Sequence, residues 1–205
     1  FTVSGAGPSC GPIQLSLVVS STQGTSQINL TLQAGTISTV FADDFEADKG
    51  WSTAAAGDNA TTGIWTRVDP NGTWWGDQPV QPEDDHSDPG TYCYVTGQGA
   101  VGGAQGAMDV DGGKTTLTSP AIDLSGKSSA LLTYWRWYAS ETGSAPNNDN
   151  FVVDLSNNNG STWTNLETLT YSDRTWRKKE FYLENYLPLT NQMKVRFIAQ
   201  DNAPG

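Results

Sequence analysis

Two short alternations open the chain. Ile13-Gln14-Leu15-Ser16-Leu17 and Ile28-Asn29-Leu30-Thr31-Leu32 place an apolar side chain at every second position. A period of two is that of a strand with one buried face. Ser20–Thr25, with Gly24, supplies a turn between them, so the pattern predicts a hairpin. From Val40 onward, apolar positions recur in short runs: 40–45, 63–68, 91–96, 115–119, 129–139, 151–156, 162–170, 175–183 and 192–199. Turn formers separate them, notably Pro70-Asn71-Gly72, Asp88-Pro89-Gly90, Pro146-Asn147-Asn148 and Asn157–Gly160. No helical period of 3.6 and no fixed-period repeat is visible. Many short strands between such turns predict an all-β fold, an antiparallel β-sandwich of the jelly-roll type.

The pattern divides the chain in two. Residues 1–38 carry no aromatic after Phe1 and read as the C-terminal part of an Ig-like β domain, its last hairpin. Two strands alone bury too little surface to be stable in water. Residues 39–205 read as the sandwich. Its last run, Val195–Gln200, is followed by Asp201-Asn202-Ala203-Pro204-Gly205, where a sandwich returns a further strand; the expectation is that this strand is lacking and a sheet edge is open.

Composition narrows the partners. The 205 residues hold 22 Asp+Glu against 11 Lys+Arg, for a net charge of −11. That balance excludes nucleic acid, which needs clustered Lys and Arg, and disfavours anionic membrane surfaces. No run approaches the ~18 apolar residues of a membrane span, so no membrane insertion is expected. Asp outnumbers Glu by 16 to 6, the bias of turns and cation loops rather than of helices.

The acids cluster. Asp109-Val110-Asp111-Gly112-Gly113 puts two carboxylates on a glycine-rich turn leading into the alternating run from Lys114, and Asp43-Asp44-Phe45-Glu46 opens the sandwich. Calcium takes six to eight oxygens and tolerates irregular geometry, and a cation relieves the repulsion of converging carboxylates. The acids of Asp43-Asp44-Phe45-Glu46, with Asp109 and Asp111, therefore make a candidate calcium site, with Asp84, Asp85 and Asp149 as further candidates. The spacing is not that of an EF-hand. The opposing reading is a set of solvated turn acids.

Among the eight Trp residues, Trp135 and Trp137 share one side of a strand and read as core packing, as do Trp163 and Trp176. Trp74 and Trp75 lie between Gly72 and Gly76 with little strand pattern, either as a stacking platform for a sugar ring or as a plug at one end of the sandwich. His86, the only histidine, follows Glu83-Asp84-Asp85 and adjoins this candidate ligand-binding stretch. A lone His cannot build a two-His zinc site, and a loop hydrogen bond is the simpler role. Cys10 and Cys93, the only cysteines, are either a long-range disulfide or two separate thiols.

Two catalytic motifs match by letter only. Gly7–Gly11 fits GxSxG without the strand and helix of a nucleophile elbow, and Gly97–Gly102 fits GxGxxG but is followed by more glycine rather than by a helix. Glu83, Glu141 and Glu167 are scattered, with no paired-carboxylate signature. Catalysis is not expected.

Six strings occur in an order that resembles a known family: DDFEADKGW, GIWTRVDPNGTWW, QPEDDHSDPGTYCYVTGQG, DVDGGKTTLTSPAIDLSG, LLTYWRWYA and DNFVVDLSNNNGSTWTNLETL. They resemble the MAM-like jelly-roll modules appended to secreted bacterial hydrolases, notably metallopeptidases of the immune inhibitor A type, over about residues 40–203. The resemblance implies a non-catalytic accessory domain with a calcium-stabilised jelly roll, and maps Asp44, Glu46, Asp109 and Asp111 onto the cation site. The expected function is a secreted or cell-surface module that binds polysaccharide or cell-surface glycan beside the rest of its parent chain. The alternative is a spacer or adhesion module with no small ligand.

Overall fold

The computed structural model describes residues 11–34, 38–143 and 145–202. The described residues are all-β, and every pair of named strands is antiparallel, with one isolated parallel bridge between Trp74 and Ala104. Its strands are β1 (Gly11–Ser21), β2 (Gly24–Ala34), β3 (Trp65–Val68), β4 (Thr73–Trp75), β5 (Gln78–Gln81), β6 (Cys93–Thr96), β7 (Lys114–Thr118), β8 (Leu131–Arg136), β9 (Asn150–Ser156), β10 (Thr164–Leu169), β11 (Arg177–Tyr182) and β12 (Lys194–Gln200). The only helical turn among the described residues is a 3₁₀ turn at Leu183–Asn185. No described helix is long and apolar enough to cross a membrane.

The hairpin β1–β2 forms as the alternation predicts. Its register sets Ile13 opposite Leu32, Leu15 opposite Leu30 and Leu17 opposite Ile28, so the apolar residues share one face. That face is open: Leu17, Ile28, Leu30 and Leu32 are all exposed.

The main sheet runs β10-β9-β12-β7. Its central strands read as near-continuous apolar runs because both sides are covered. Phe151, Val153 and Leu155 of β9, Val195 of β12 and Leu166 and Leu169 of β10 pack with Leu124, Leu183 and Met193 into the core. Leu132 and Tyr134 of β8, Phe181 of β11 and Trp65 of β3 lie against that cluster from the other side. The second layer thus consists of two separate pairs, β11-β8 and β3-β6. The edge of β7 is covered by the preceding chain: Ser52 and Thr118 exchange backbone hydrogen bonds at 2.9 and 2.8 Å, and Asp58 accepts from the Thr116 amide and hydroxyl.

Several sequence-based expectations need correction. Residues 40–45 are apolar but irregular, because Asp43 turns the chain by accepting from the Phe45 amide, and Phe45 adopts φ +64°. The Trp74-Trp75 stretch, which lacks a strand pattern, is half of the hairpin β4–β5, turned at Gly76 with φ +58°. Trp135 is not in the core. Leu132 and Tyr134 are the residues that β8 turns inward, so the opposite parity faces out and Trp135 is 44% exposed. GxSxG and Cys10 lie outside the described residues.

Candidate functional site

One end of the molecule gathers indole rings with a pair of opposite charges. Trp137 donates from its ring nitrogen to the Val80 carbonyl of β5 at 2.8 Å, which ties the β4–β5 hairpin to the outer side of β8. Trp176 meets Trp137 edge-on at 6.0 Å. His86 stacks on Trp135 with centroids 3.7 Å apart and planes within 19°, and meets Trp176 edge-on. The predicted carboxylate neighbours of His86 are replaced by aromatic ones.

Trp74 and Trp75 are 54% and 52% exposed. As successive residues of β4 they point to opposite sides of the hairpin and do not form one coplanar platform. Trp75 has polar company. The Arg174 guanidinium lies 5.4 Å from its ring centroid, and Arg174 is ion-paired with Glu141. Beside them, Glu141 Oε2 and Ser140 Oγ are buried without a protein hydrogen-bond partner. An exposed indole with a guanidinium over its ring can take the apolar face of a sugar ring, whereas the unpartnered Glu141 and Ser140 oxygens are shut off from solvent. Alternation alone hid Arg174 and Glu141, which lie in irregular segments on either side of β8 and β11.

The candidate cation ligands fall into two settings. Glu46 Oε1 accepts from the Thr91 and Tyr92 amides at 2.7 and 2.9 Å, and Asp44 accepts from the Glu46 amide. Glu46 therefore fastens the opening segment to the loop before β6, while Asp44 only turns its own segment. Asp109 and Asp111 sit in a second place. The Thr62 hydroxyl donates to the Asp109 carbonyl and to Asp111 Oδ2, both at 2.9 Å, and the Thr61 amide donates to the Asp111 carbonyl.

Asp201, which pattern reasoning passed over, joins the second setting. Its carboxylate accepts from the Gly112 amide at 2.9 Å and its own amide donates to Gly113. Asp149 accepts from the neighbouring Asn202 amide at 3.0 Å. Burial, reinforced by the charges of Asp111, Asp149 and Asp201, raises the pKa of Asp109. Burial and Asp201 likewise raise that of Asp149, against the pull of the Asn202 amide. Asp84 is exposed, and Asp85 accepts from the Ser87 amide at 3.0 Å. Among the described residues no three His, Cys, Asp or Glu side chains are grouped closely enough to hold a metal ion unaided. Backbone carbonyls of the 109–113 turn are the remaining oxygen donors there.

The acid turn is held by close backbone approach. At Gly63 (φ +67°) a β-carbon lies 2.5 Å from the Asp109 carbonyl oxygen, and at Gly97 (φ +79°) it collides with the Met108 carbonyl. Only glycine suits both positions. Cys93, on β6, is buried, and burial with Asp85 and Asp69 pushes its thiol pKa up to about 12.

No protein-family model matches the chain, and no curated protein matches it.

Proposed function

We propose that this is a non-catalytic, calcium-stabilised accessory module of a secreted bacterial protein that binds polysaccharide or cell-surface glycan next to the rest of its parent chain. The observation that carries the reading is the half-exposed Trp75 with the Arg174 guanidinium over its ring, Arg174 being paired in turn with Glu141. The ordered strings that resemble MAM-like jelly-roll modules support the same reading. A calcium ion at the turn that carries Asp109 and Asp111 would draw further oxygens from backbone carbonyls, since among the described residues no three acidic side chains are grouped closely enough to hold it. Its part is to hold the loops of that turn.

The test is retention on a panel of insoluble polysaccharides and glycan arrays. Native protein should be retained on at least one glycan. Trp75→Ala and Arg174→Ala should each abolish that retention while leaving the circular dichroism spectrum unchanged, and Trp74→Ala should leave it largely intact. If no glycan in a broad array retains the native protein, the second reading takes its place. That reading is a spacer or adhesion module, favoured by the exposed apolar pairs of β1–β2.

A further inference from the structure

The second layer is interrupted. Among the described residues β8 pairs only with β11, and β6 pairs only with β3, so each has one edge without a described strand partner. A cavity of about 1050 Å³ runs along both. All six residues of β8 and all four of β6 line it, irrespective of the face to which their side chains point, whereas β11 contributes only Tyr182 and β3 only Trp65. Lining by both parities means that the strand edges themselves, with their alternating N–H and C=O groups, face the cavity. Such groups require partners. The inner wall is apolar, formed by Tyr134, Phe151 and Phe197, and the outer mouth carries Trp135 and His86.

We propose that this seam receives one extended peptide segment from a binding partner, with apolar residues at alternate positions and Lys or Arg at its ends, which pairs with both strand edges and closes the layer. Backbone pairing to two edges is the recognition mode of strand addition, and it specifies a polypeptide rather than a sugar or a lipid. The volume stands at the upper end of small-molecule sites, roughly 1,000 Å³, so it is the two strand edges that favour a polypeptide. Alternation follows from the walls: inward residues meet Tyr134 and Phe197, and outward ones meet Trp135 and solvent. A segment matched to β8 has about six residues, or ~20 Å at ~3.3 Å each. Basic ends follow from the acids Asp44, Asp85, Asp109 and Asp149 in the lining, the Asp43 side chain being buried and paired with Lys49. Of the cations there, Arg136 is engaged by Glu167 and Asp173, which leaves Lys127 to oppose the acids. Trp75, Arg174 and Glu141 are not part of the cavity lining, although His86, Trp137, Ser140 and Trp176 are, so the seam adjoins the glycan site and the peptide is read at the strand edges instead.

The experiment titrates the intact protein with a labelled decapeptide, Lys-Lys-Thr-Val-Thr-Leu-Thr-Val-Lys-Lys, and follows amide exchange by NMR. Binding should slow exchange along both Leu131–Arg136 and Cys93–Thr96 and raise the melting temperature. A version with Pro at its two central positions lacks the needed N–H groups and should bind at least ~10-fold more weakly, a factor equal to ~1.4 kcal/mol. A version with Glu ends should also bind more weakly, and Asp44→Lys should narrow the difference between the two. The proposal is overturned if the Pro peptide binds equally well, if protection appears on one strand only, or if sedimentation shows a second copy of the chain already seated on the seam. It is equally overturned if a glycan, and no peptide, protects these amides.

Discussion

Arg136 grips Glu167 with a two-pronged contact, Nε to Oε2 at 3.2 Å and Nη2 to Oε1 at 2.9 Å, across the space between β8 and β10. The two strands belong to different layers, so this pair fastens one sheet to the other. A bulge between Asn165 and Glu167 shifts the register of β10 there and re-aims the carboxylate. Tyr134 and Lys179 complete the shell around Glu167, and Asp173 takes the remaining prong of Arg136 at 2.8 Å. Both side chains are almost fully buried, at 6% and 11% exposure. Asp173 keeps Arg136 paired on one prong when Glu167 is removed, so Glu167→Ala should destabilise by about 1–3 kcal/mol in urea unfolding. Arg136→Met with Glu167→Leu should recover part of that loss. A cost below ~1 kcal/mol for Glu167→Ala would show that the clamp is not structural.

The same pair sets an acid limit. Burial alone raises the pKa of Glu167, but the hydrogen bonds from Arg136, Lys179 and Tyr134 outweigh it and the net shift is downward. A depressed folded value means that the unfolded state binds the proton more readily. The stabilisation is complete above the ordinary glutamate pKa and is lost as pH falls through the lowered value. Glu167→Gln should flatten that acid limb of the stability curve.

Asp109 and Asp149 act in the opposite direction. Their folded pKa values are raised, so the native state holds the protons more tightly. Their contribution weakens as pH rises from the ordinary aspartate value through the raised ones. A cation bound only by the native state reverses this. Calcium should raise the melting temperature at pH 7 and EDTA should lower it. Asp109→Asn should raise stability in EDTA and erase the calcium response. A melt indifferent to calcium and EDTA alike would remove the metal from the proposed function.

Gly97 should be irreplaceable. Its φ of +79° already strains any other residue, and its β-carbon position is occupied by the Met108 carbonyl. Backbone cannot yield as a flexible side chain does. Gly97→Ala should cost several kcal/mol, above the roughly 1 kcal/mol typical of point mutants. Gly76→Ala, which has open space at its β-carbon, should cost only the strain of its positive φ. Equal losses for the two would place the cost in φ alone.

Alternation was a good guide where one face of a strand is wet and a poor one where both faces are apolar. Ile13/Leu32 and Leu15/Leu30 pair in the register that the period of two implies. On β8, Leu131, Leu132, Tyr134 and Trp135 fill both parities, so the pattern could not say whether Tyr134 or Trp135 faces the core. The buried charge of Arg136 runs against the usual rule and has its explanation in Glu167, which is distant in sequence. Residues 40–45 look like a strand by composition, yet Asp43 diverts the backbone. For the candidate site, Trp75 was legible as an aromatic outside the core pattern, whereas Arg174, Glu141 and Asp201 depend on loops brought together by the fold. The interruption between β8 and β6 has no local signal at all, because a missing neighbour leaves no mark on either strand.

Cys93 offers a direct probe of that interruption. It lies at the start of β6, lines the cavity and is buried, and its pKa of about 12 leaves about 10³-fold less thiolate at neutral pH than an ordinary thiol near 9 provides. Alkylation of the native protein at Cys93 should therefore be slow and should accelerate on unfolding in urea, as read by peptide mass mapping. Loss of labelling at Cys93 in urea without reductant, restored by reductant, would instead establish the bond to Cys10. Fast labelling in the native state would mean that β6 opens readily along its unpaired edge. Val95→Thr, which weakens the buried face of the same strand, should then increase the labelling rate further, whereas in a well-packed β6 it should change stability more than reactivity.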